Sequence, residues 1–386
     1  MPTKQQESML FQHCAGARYV WNLAVEQESW WRPGRRSAPG YSEQCRQLTA
    51  TRKENTWLAD GSQMVQQQAL RDYAHAMAGF FAGTHRRPSW RKARRDEGFR
   101  IVAVKPCDIR RLNRHWGQVR VPKAGWIRFR WSRALPAGVK SYRVTQDRAG
   151  RWHVAFAHVP DPVEAPGTGK VVGIDRGVVV SAALSTGETL TVPHLSTAEQ
   201  QRLKRLKRKL ARASPGSNRR GTVRTSIARL KVRETDRRKD WCEKLSTRLS
   251  REFDIICVEN LSVKNMTRSA KGTIAAPGRN VRQKAGLNRE ILSSGWGQLV
   301  RRLEDKAPGR VERVNPAFTS QRCSACGRIA AGSRESQAQF RCRACGYACN
   351  ADVNAARNIA AGHAVTARGG DRNAGPVNRE PQLLAP

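Results

Sequence analysis

Seven residues of this chain have types and spacings that can do chemistry. Cys323, Cys326, Cys342 and Cys345 form a C-x2-C-x15-C-x2-C pattern, and Gly327 and Gly346 follow the two pairs. Each pair turns back on itself so that both sulfurs face one tetrahedral ion, and four thiolates leave no open coordination position. A Zn²⁺ held there braces the fold and takes no part in a reaction. The bland alternative is four free thiols, with Cys349 as a fifth nearby.

The other three residues are acids. Asp175 ends the apolar run Val171-Val172-Gly173-Ile174, and Glu259 ends the run Ile255-Ile256-Cys257-Val258. A carboxylate at a strand end is held firmly, and its burial is costly unless something compensates the charge. Asp352 opens the Ala-rich stretch Val353 to Ala360, whose composition favours a helix, so its carboxylate sits near a helix N-terminus. Taken singly, each acid reads as a turn residue or half of an ion pair. Together they form a hard-oxygen set suited to Mg²⁺, where two ions about 4 Å apart stabilise the attacking and leaving oxygens of a phosphodiester.

The elements that position these residues follow from local pattern. From His13 to Phe81 the spacing is helical, with Ala17, Val20, Trp21 and Ala24 on one face and Val65, Ala69, Tyr73 and Met77 on another, separated by a loop from Arg32 to Gly40. From Phe99 to Val159 short runs (Ile101–Val104, Gln118–Val121, Trp126–Phe129, Trp152–Ala157) are broken by Gly, Pro and Asn, which reads as a small β-barrel. Pro160 to Gly169 reads as a linker. A third module then runs from the strand Lys170–Ile174 through a turn at Thr186-Gly187 and a long basic helical stretch to the strands Ile255–Val258 and Val311–Val314. After Gly362 the chain has few apolar residues, so 363–386 is expected to be disordered.

Charge narrows the partners. The 386 residues carry 71 Lys and Arg against 31 Asp and Glu, a formal +40 that would repel itself without a polyanion. No apolar run of about 18 residues, amphipathic anchor or signal peptide is visible, which excludes a membrane as that polyanion and places the chain in the cytoplasm, associated with the nucleoid. Between Gln201 and Asp240 there are 16 Lys or Arg and 3 Asp or Glu, with Leu203, Leu206 and Leu210 as a narrow stripe: a basic helical hairpin suited to backbone phosphates. Trp30, Trp31, Trp90, Trp116, Trp126 and Trp131 lie among basic residues and could stack on unpaired bases, although most aromatics are core.

Gly173-Ile174-Asp175, Val258-Glu259-Asn260-Leu261, Thr319-Ser320-Gln321 and Asp352-Val353-Asn354-Ala355-Ala356, in that order around the cysteine pairs, resemble the TnpB family. Pro2 to Gln6 and Arg18-Tyr19-Val20-Trp21-Asn22 resemble its N-terminal region. The resemblance implies an α/β multidomain protein. A wedge-like β-barrel (1–12 and 86–165) would carry a helical recognition insert (13–85). An RNase H-like RuvC nuclease domain (166–362) would contain the zinc element (319–349). It also implies an RNA-guided DNA endonuclease from a prokaryotic insertion sequence, using a guide RNA from the transposon end and cutting double-stranded DNA beside a short transposon-adjacent motif. Asp175, Glu259 and Asp352 would be the catalytic Mg²⁺ ligands, and base pairing would read the sequence. Two departures stand out: the family usually has a strand before Pro2-Thr3-Lys4, so the barrel would lack an edge or the start is misread, and Ala351 stands where Arg is more usual. The competing readings are a nuclease-inactive RNA-guided repressor, a compact type V CRISPR effector, and a structural RNA-binding protein, which gives no reason for acids at two strand ends.

Overall fold

The structure, a computed structural model, describes residues 2–30, 34, 38–95 and 97–366. The chain divides into two compact units, Met1–Val159 with Leu203–Val232 and Pro160–Arg202 with Arg233–Pro386. The first break falls at the start of the Pro160–Gly169 segment. Most of the loop from Arg32 to Gly40, and the tail from residue 367 onward, lie outside the described residues. Among the described residues no helix is long and apolar enough to cross a membrane.

In the first unit, helix α1 (Lys4–Ser29) starts well before His13, so residues 4–12 are helical and are not barrel strands. The cause is local. Gln6 N–H donates to the Thr3 hydroxyl at 3.2 Å and Thr3 N–H donates to the Gln6 side chain at 3.0 Å, a capping box that fixes the helix start. Helices α2 (Tyr41–Glu54), α3 (Thr56–Ala59) and α4 (Gln63–Phe81) follow. Leu10, Ala17, Val20, Trp21 and Ala24 of α1 and Val65, Ala69, Tyr73 and Met77 of α4 are buried in one core, where Trp21 and Tyr73 meet edge to face at 5.4 Å.

Six strands complete that core: β1 (Gly98–Val102), β2 (Ile109–Arg111), β3 (Trp116–Val121), β4 (Gly125–Arg130), β5 (Ser141–Gln146) and β6 (Trp152–Phe156). They form two antiparallel sheets, β1-β5-β6 and β2-β3-β4. Phe99, Ile101, Tyr142 and Val144 of the first and Val119, Val121 and Ile127 of the second are buried with the helices.

The second unit is built on a five-stranded sheet. Its strands are β7 (Val171–Asp175), β8 (Ala182–Leu184) and β9 (Thr189–Leu190), then β10 (Ile255–Glu259) and β11 (Val311–Val314), in the order β11-β10-β7-β8-β9. The first three in that order run parallel, and β8 and β9 pair antiparallel. Helices α5 (Thr197–Arg212) and α6 (Asn218–Glu252) fill the gap between β9 and β10 and form the expected basic hairpin. Arg220 closes the α5 C-terminus by donating to the Leu210 and Ala213 carbonyls at 2.9 and 2.7 Å. Leu203–Val232, which is most of α5 and the first part of α6, groups with the first unit, and the rest of both helices with the second. The remaining elements are α7 (Val263–Met266), α8 (Val281–Ser293), α9 (Trp296–Lys306), β12 (Gln339–Arg341), β13 (Ala348–Asn350) and α10 (Ala351–Thr366).

Strand alternation decides which face is which. Val172, Ile174, Ile256 and Val258 pack with Leu245 and Leu249 of α6 and Leu299 and Leu303 of α9. The opposite residues, Val171, Ile255 and Cys257, pack with Ile359 of α10. Gly173 lies on this second face, where a Cβ would run into the Ala356 carbonyl and the Ala360 amide of α10. Gly173→Ala should therefore cost about 2–3 kcal/mol as an overpacking change. Gly221→Ala on the exposed α6 surface, where a Cβ meets nothing within 4 Å, should stabilise by up to about 1 kcal/mol. Thermal melts of both variants check the pair.

Candidate active site and metal centre

The face that carries Gly173 also carries the acids. Asp175 is two residues beyond Gly173 and Glu259 two beyond Cys257, so both lie on the α10 face, at the C-terminal ends of adjacent parallel strands paired through Ile174 and Val258. Asp352 is the second residue of α10, whose first turn is capped by the Asn350 side chain accepting from the N–H groups of Asp352 and Val353 at 3.0 and 3.1 Å. All three predicted acids thus stand at one end of the sheet. Burial pushes the Asp175 carboxyl up to about 7, reinforced by the negative charges of Glu259 and Asp352 and opposed by Arg334.

Several residues hold this cluster, and the sequence reading gave them no role. The Thr319 hydroxyl donates to Glu259 Oε1 at 2.7 Å. Arg334 donates to Asp352 Oδ1 at 3.0 Å and, with Arg176, sets a positive charge against the acids. The buried Arg176 guanidinium donates to the Glu259 carbonyl, which fixes the end of β10. Asn358 donates to the Thr319 and Arg322 carbonyls at 2.9 and 2.6 Å, and Asn354 donates to the Arg322 carbonyl at 2.7 Å and accepts from Ser324 N–H at 2.9 Å. The i, i+4 spacing of the two asparagines is a legible signal: one face of α10 fastens the loop leading into the cysteines while Asp352 projects at its start.

The four cysteines converge, their sulfurs all within 4.8 Å of one another. Cys323 and Cys345 Sγ lie 3.8 Å apart and Cys326 and Cys342 Sγ 3.7 Å. Those separations are far too long for a disulfide and match the edge, about 3.8 Å, of a tetrahedron with Zn–S bonds of about 2.3 Å. The two knuckles repeat one geometry. Cys323 N–H donates to Arg328 O and Gly327 N–H to Cys323 O, while Cys342 N–H donates to Tyr347 O and Gly346 N–H to Cys342 O. Gly327 and Gly346 have φ of 75° and 73°, a conformation that suits glycine. The quartet fits a closed structural metal ion. Ala351, the departure noted above, is fully buried beside Cys323, Phe340 and Cys342, so a small side chain suits this packing.

The carboxylates are arranged differently. Among the described residues the cysteines are the set of three or more such ligands gathered within 4.8 Å, so the acid oxygens are more widely spread. Three carboxylates, of which Glu259 and Asp352 raise the charging cost of Asp175, with Arg334 and Arg176 as counter-charges, are a donor set that fits a hard divalent cation.

This arrangement defines a mixed α/β protein with an acid cluster tied to a four-cysteine knuckle that could hold a metal ion. Comparisons with known proteins show the family. Residues 153–270 match the OrfB_IS605 family profile, described as a probable transposase, and residues 296–359 match the Cas12f1-like TNB domain. InsQ of Escherichia coli (strain K12), provisionally named an RNA-guided DNA endonuclease, is 37% identical over 391 residues, covering 98% of this chain and 95% of InsQ. A Streptomyces pristinaespiralis protein with the same provisional description is 34% identical, covering 95% of this chain and 89% of its own. The chain belongs to the TnpB family. The fold is also similar to that of Cas12f1 in a complex with sgRNA and target DNA, with a TM-score of 0.51 at 13% identity, covering 93% of this chain and 83% of that one.

Two outcomes test the site. Elemental analysis should find one zinc per chain, reduced well below one in Cys342→Ser, with a lower melting temperature. In buffer free of divalent ions, Asp175→Asn should melt higher than wild type above pH 7 and lose that advantage toward pH 4. The sign follows because a carboxyl raised from 3.8 to about 7 by folding binds its proton more tightly when folded, so stability falls as pH rises through that window. An unchanged difference across the range would refute the buried acid cluster.

Proposed function

We propose that the protein is an RNA-guided DNA endonuclease of an insertion sequence, cutting double-stranded DNA beside a short transposon-adjacent motif by metal-dependent phosphodiester hydrolysis. The observation that carries this is the gathering of Asp175, Glu259 and Asp352 at one end of the second unit's sheet. On this reading the second unit is a RuvC-like domain of RNase H-like strand order, Asp175, Glu259 and Asp352 are the catalytic Mg²⁺ ligands, and Cys323, Cys326, Cys342 and Cys345 hold structural Zn²⁺. The first unit supplies the wedge-like barrel and the helical recognition insert. The relatives named as RNA-guided DNA endonucleases support the activity. A guide RNA from the transposon end and a target DNA duplex are the partners, held through their backbones by a surface of formal charge +40.

Bound Mg²⁺ would supply a metal-activated water and neutralise charge developing on the leaving oxygen. The chain's own contribution is geometric. Thr319 and Arg176 fix the direction of Glu259, Asn350 fixes the start of α10, and Arg334 keeps Asp352 oriented beside Asp175. A nuclease-inactive repressor would have no use for this assembly.

The test is to co-express the protein with the DNA flanking its gene, sequence the RNA that co-purifies, and incubate the complex with Mg²⁺ and a matched plasmid carrying a randomised flank. Wild type should cut beside an enriched short motif. Asp175→Ala should lose cleavage by at least about 1,000-fold, a barrier of about 4 kcal/mol, while guided binding stays within about twofold. Loss of guided binding in the variant, or cleavage that survives it, would contradict the assignment.

A further inference from the structure

One motif of the first unit has polar groups that nothing described so far uses: Arg18-Tyr19-Val20-Trp21-Asn22 on α1. Arg18, Trp21 and Asn22 of this motif all work on the irregular segment before β1. Trp21 Nε1 donates to the Ser89 carbonyl at 2.9 Å. Asn22 grips the Arg91 backbone from both sides, donating to its carbonyl at 3.0 Å and accepting from its N–H at 2.7 Å. Arg18 donates to both carboxylate oxygens of Glu97 at 2.8 Å. The segment is therefore fastened at Ser89, Arg91 and Glu97, and Trp90, between the first two anchors, stays 55% exposed.

The fastened segment, α1 and β5 enclose a cavity of about 660 Å³, within the usual range of ligand pockets. Its lining is strongly cationic, with Arg91, Lys92 and Arg143 in the wall and Glu97 already engaged by Arg18. Among the described residues no carboxylate lies within ion-pair distance of Arg91, Lys92 or Arg143. The Arg91 guanidinium carbon sits over the Trp21 ring, 3.6 Å from its centroid, and burial, opposed by Asp72, pushes the group down to about 10. A half-buried cation stacked on an aromatic ring, feeling Asp72 only at a distance and in ion-pair contact with no described carboxylate, is suited to an anion from outside the chain.

We infer that this pocket is a binding site for one nucleotide of a nucleic-acid strand, its phosphate against Arg91, Lys92 and Arg143 and its base stacked on Trp90. The inference rests on the proposed nucleic-acid function and adds a discrete site to it. The ligand chemistry is shared by guide RNA and target DNA, so the experiment must separate them.

The assembled full-length complex, without Mg²⁺, is photo-crosslinked with 4-thiouridine in the RNA or 5-iododeoxyuridine in the DNA, and the crosslinked peptides are sequenced. Crosslinks to the peptide holding Trp90 are expected from one strand, and which label reacts assigns the source. In parallel, affinities of the full chain for that strand are measured. Trp90→Ala and Arg143→Gln should each weaken binding about tenfold, the scale of one lost stacking or phosphate contact, with unchanged melting temperature. Wild-type affinity in both variants together with no crosslink at Trp90 would overturn the site. Because binding is read without cutting, that failure leaves the nuclease assignment standing, and a Trp90 crosslink in a complex that never cuts would do the reverse.

Discussion

The close seating of α10 on β7 is the constraint on which the second unit depends. It is possible because Gly173 has no side chain where the helix backbone passes. With the helix seated, Ala355, Ala356 and Ile359 are buried, and the first turn of α10 comes to the end of β7 where Asp175 stands. The same helix carries Asn354 and Asn358 against the loop that leads into the cysteines. One packing contact thus sets the acid cluster and, through the asparagines, the metal-binding knuckle. The acid cluster and the cysteine knuckle are mechanically linked, since the knuckle also supplies Arg334 to Asp352.

Electrostatics works against this arrangement, and a cation would relieve it. Folding collects three carboxylates in a site where water is largely excluded, and the charging cost is visible in Asp175. Thr319 and Arg334 satisfy part of the demand with directed hydrogen bonds, and Arg176 fixes the strand end through the backbone. On the proposed reading, acids held in place against their own repulsion would need little reorganisation on binding a divalent ion, the usual condition for efficient catalysis by preorganised charge.

Much of this was legible in the sequence, for reasons that can be named. Asp175 and Glu259 end apolar runs, so their strand-end positions follow from hydrophobic pattern alone, and the cysteine spacing dictates a knuckle. The basic hairpin follows from composition. What pattern could not supply was contact across the chain: Thr319 on Glu259 is a link over 60 residues, and Arg334 on Asp352 depends on how the knuckle loop folds back. Strand β5 was missed because Arg143 and Thr145 interrupt its apolar residues, although Tyr142 and Val144 alternate with them and are buried. The early start of α1 was available in Thr3 and Gln6 as a capping box, a short signal that is easily passed over beside the longer apolar periodicity.

The central claim is that Asp175, Glu259 and Asp352, contributed by two strands and a helix, act as one divalent-cation site. Titrating Mn²⁺ into the zinc-loaded protein and following free Mn²⁺ by electron paramagnetic resonance measures that site directly. The account predicts that Asp175→Asn, Glu259→Gln and Asp352→Asn each abolish the tightest Mn²⁺ binding while zinc content stays at that of wild type. Retention of wild-type Mn²⁺ affinity in Asp352→Asn would contradict it, because α10 would then place its acid beside the site without contributing to it.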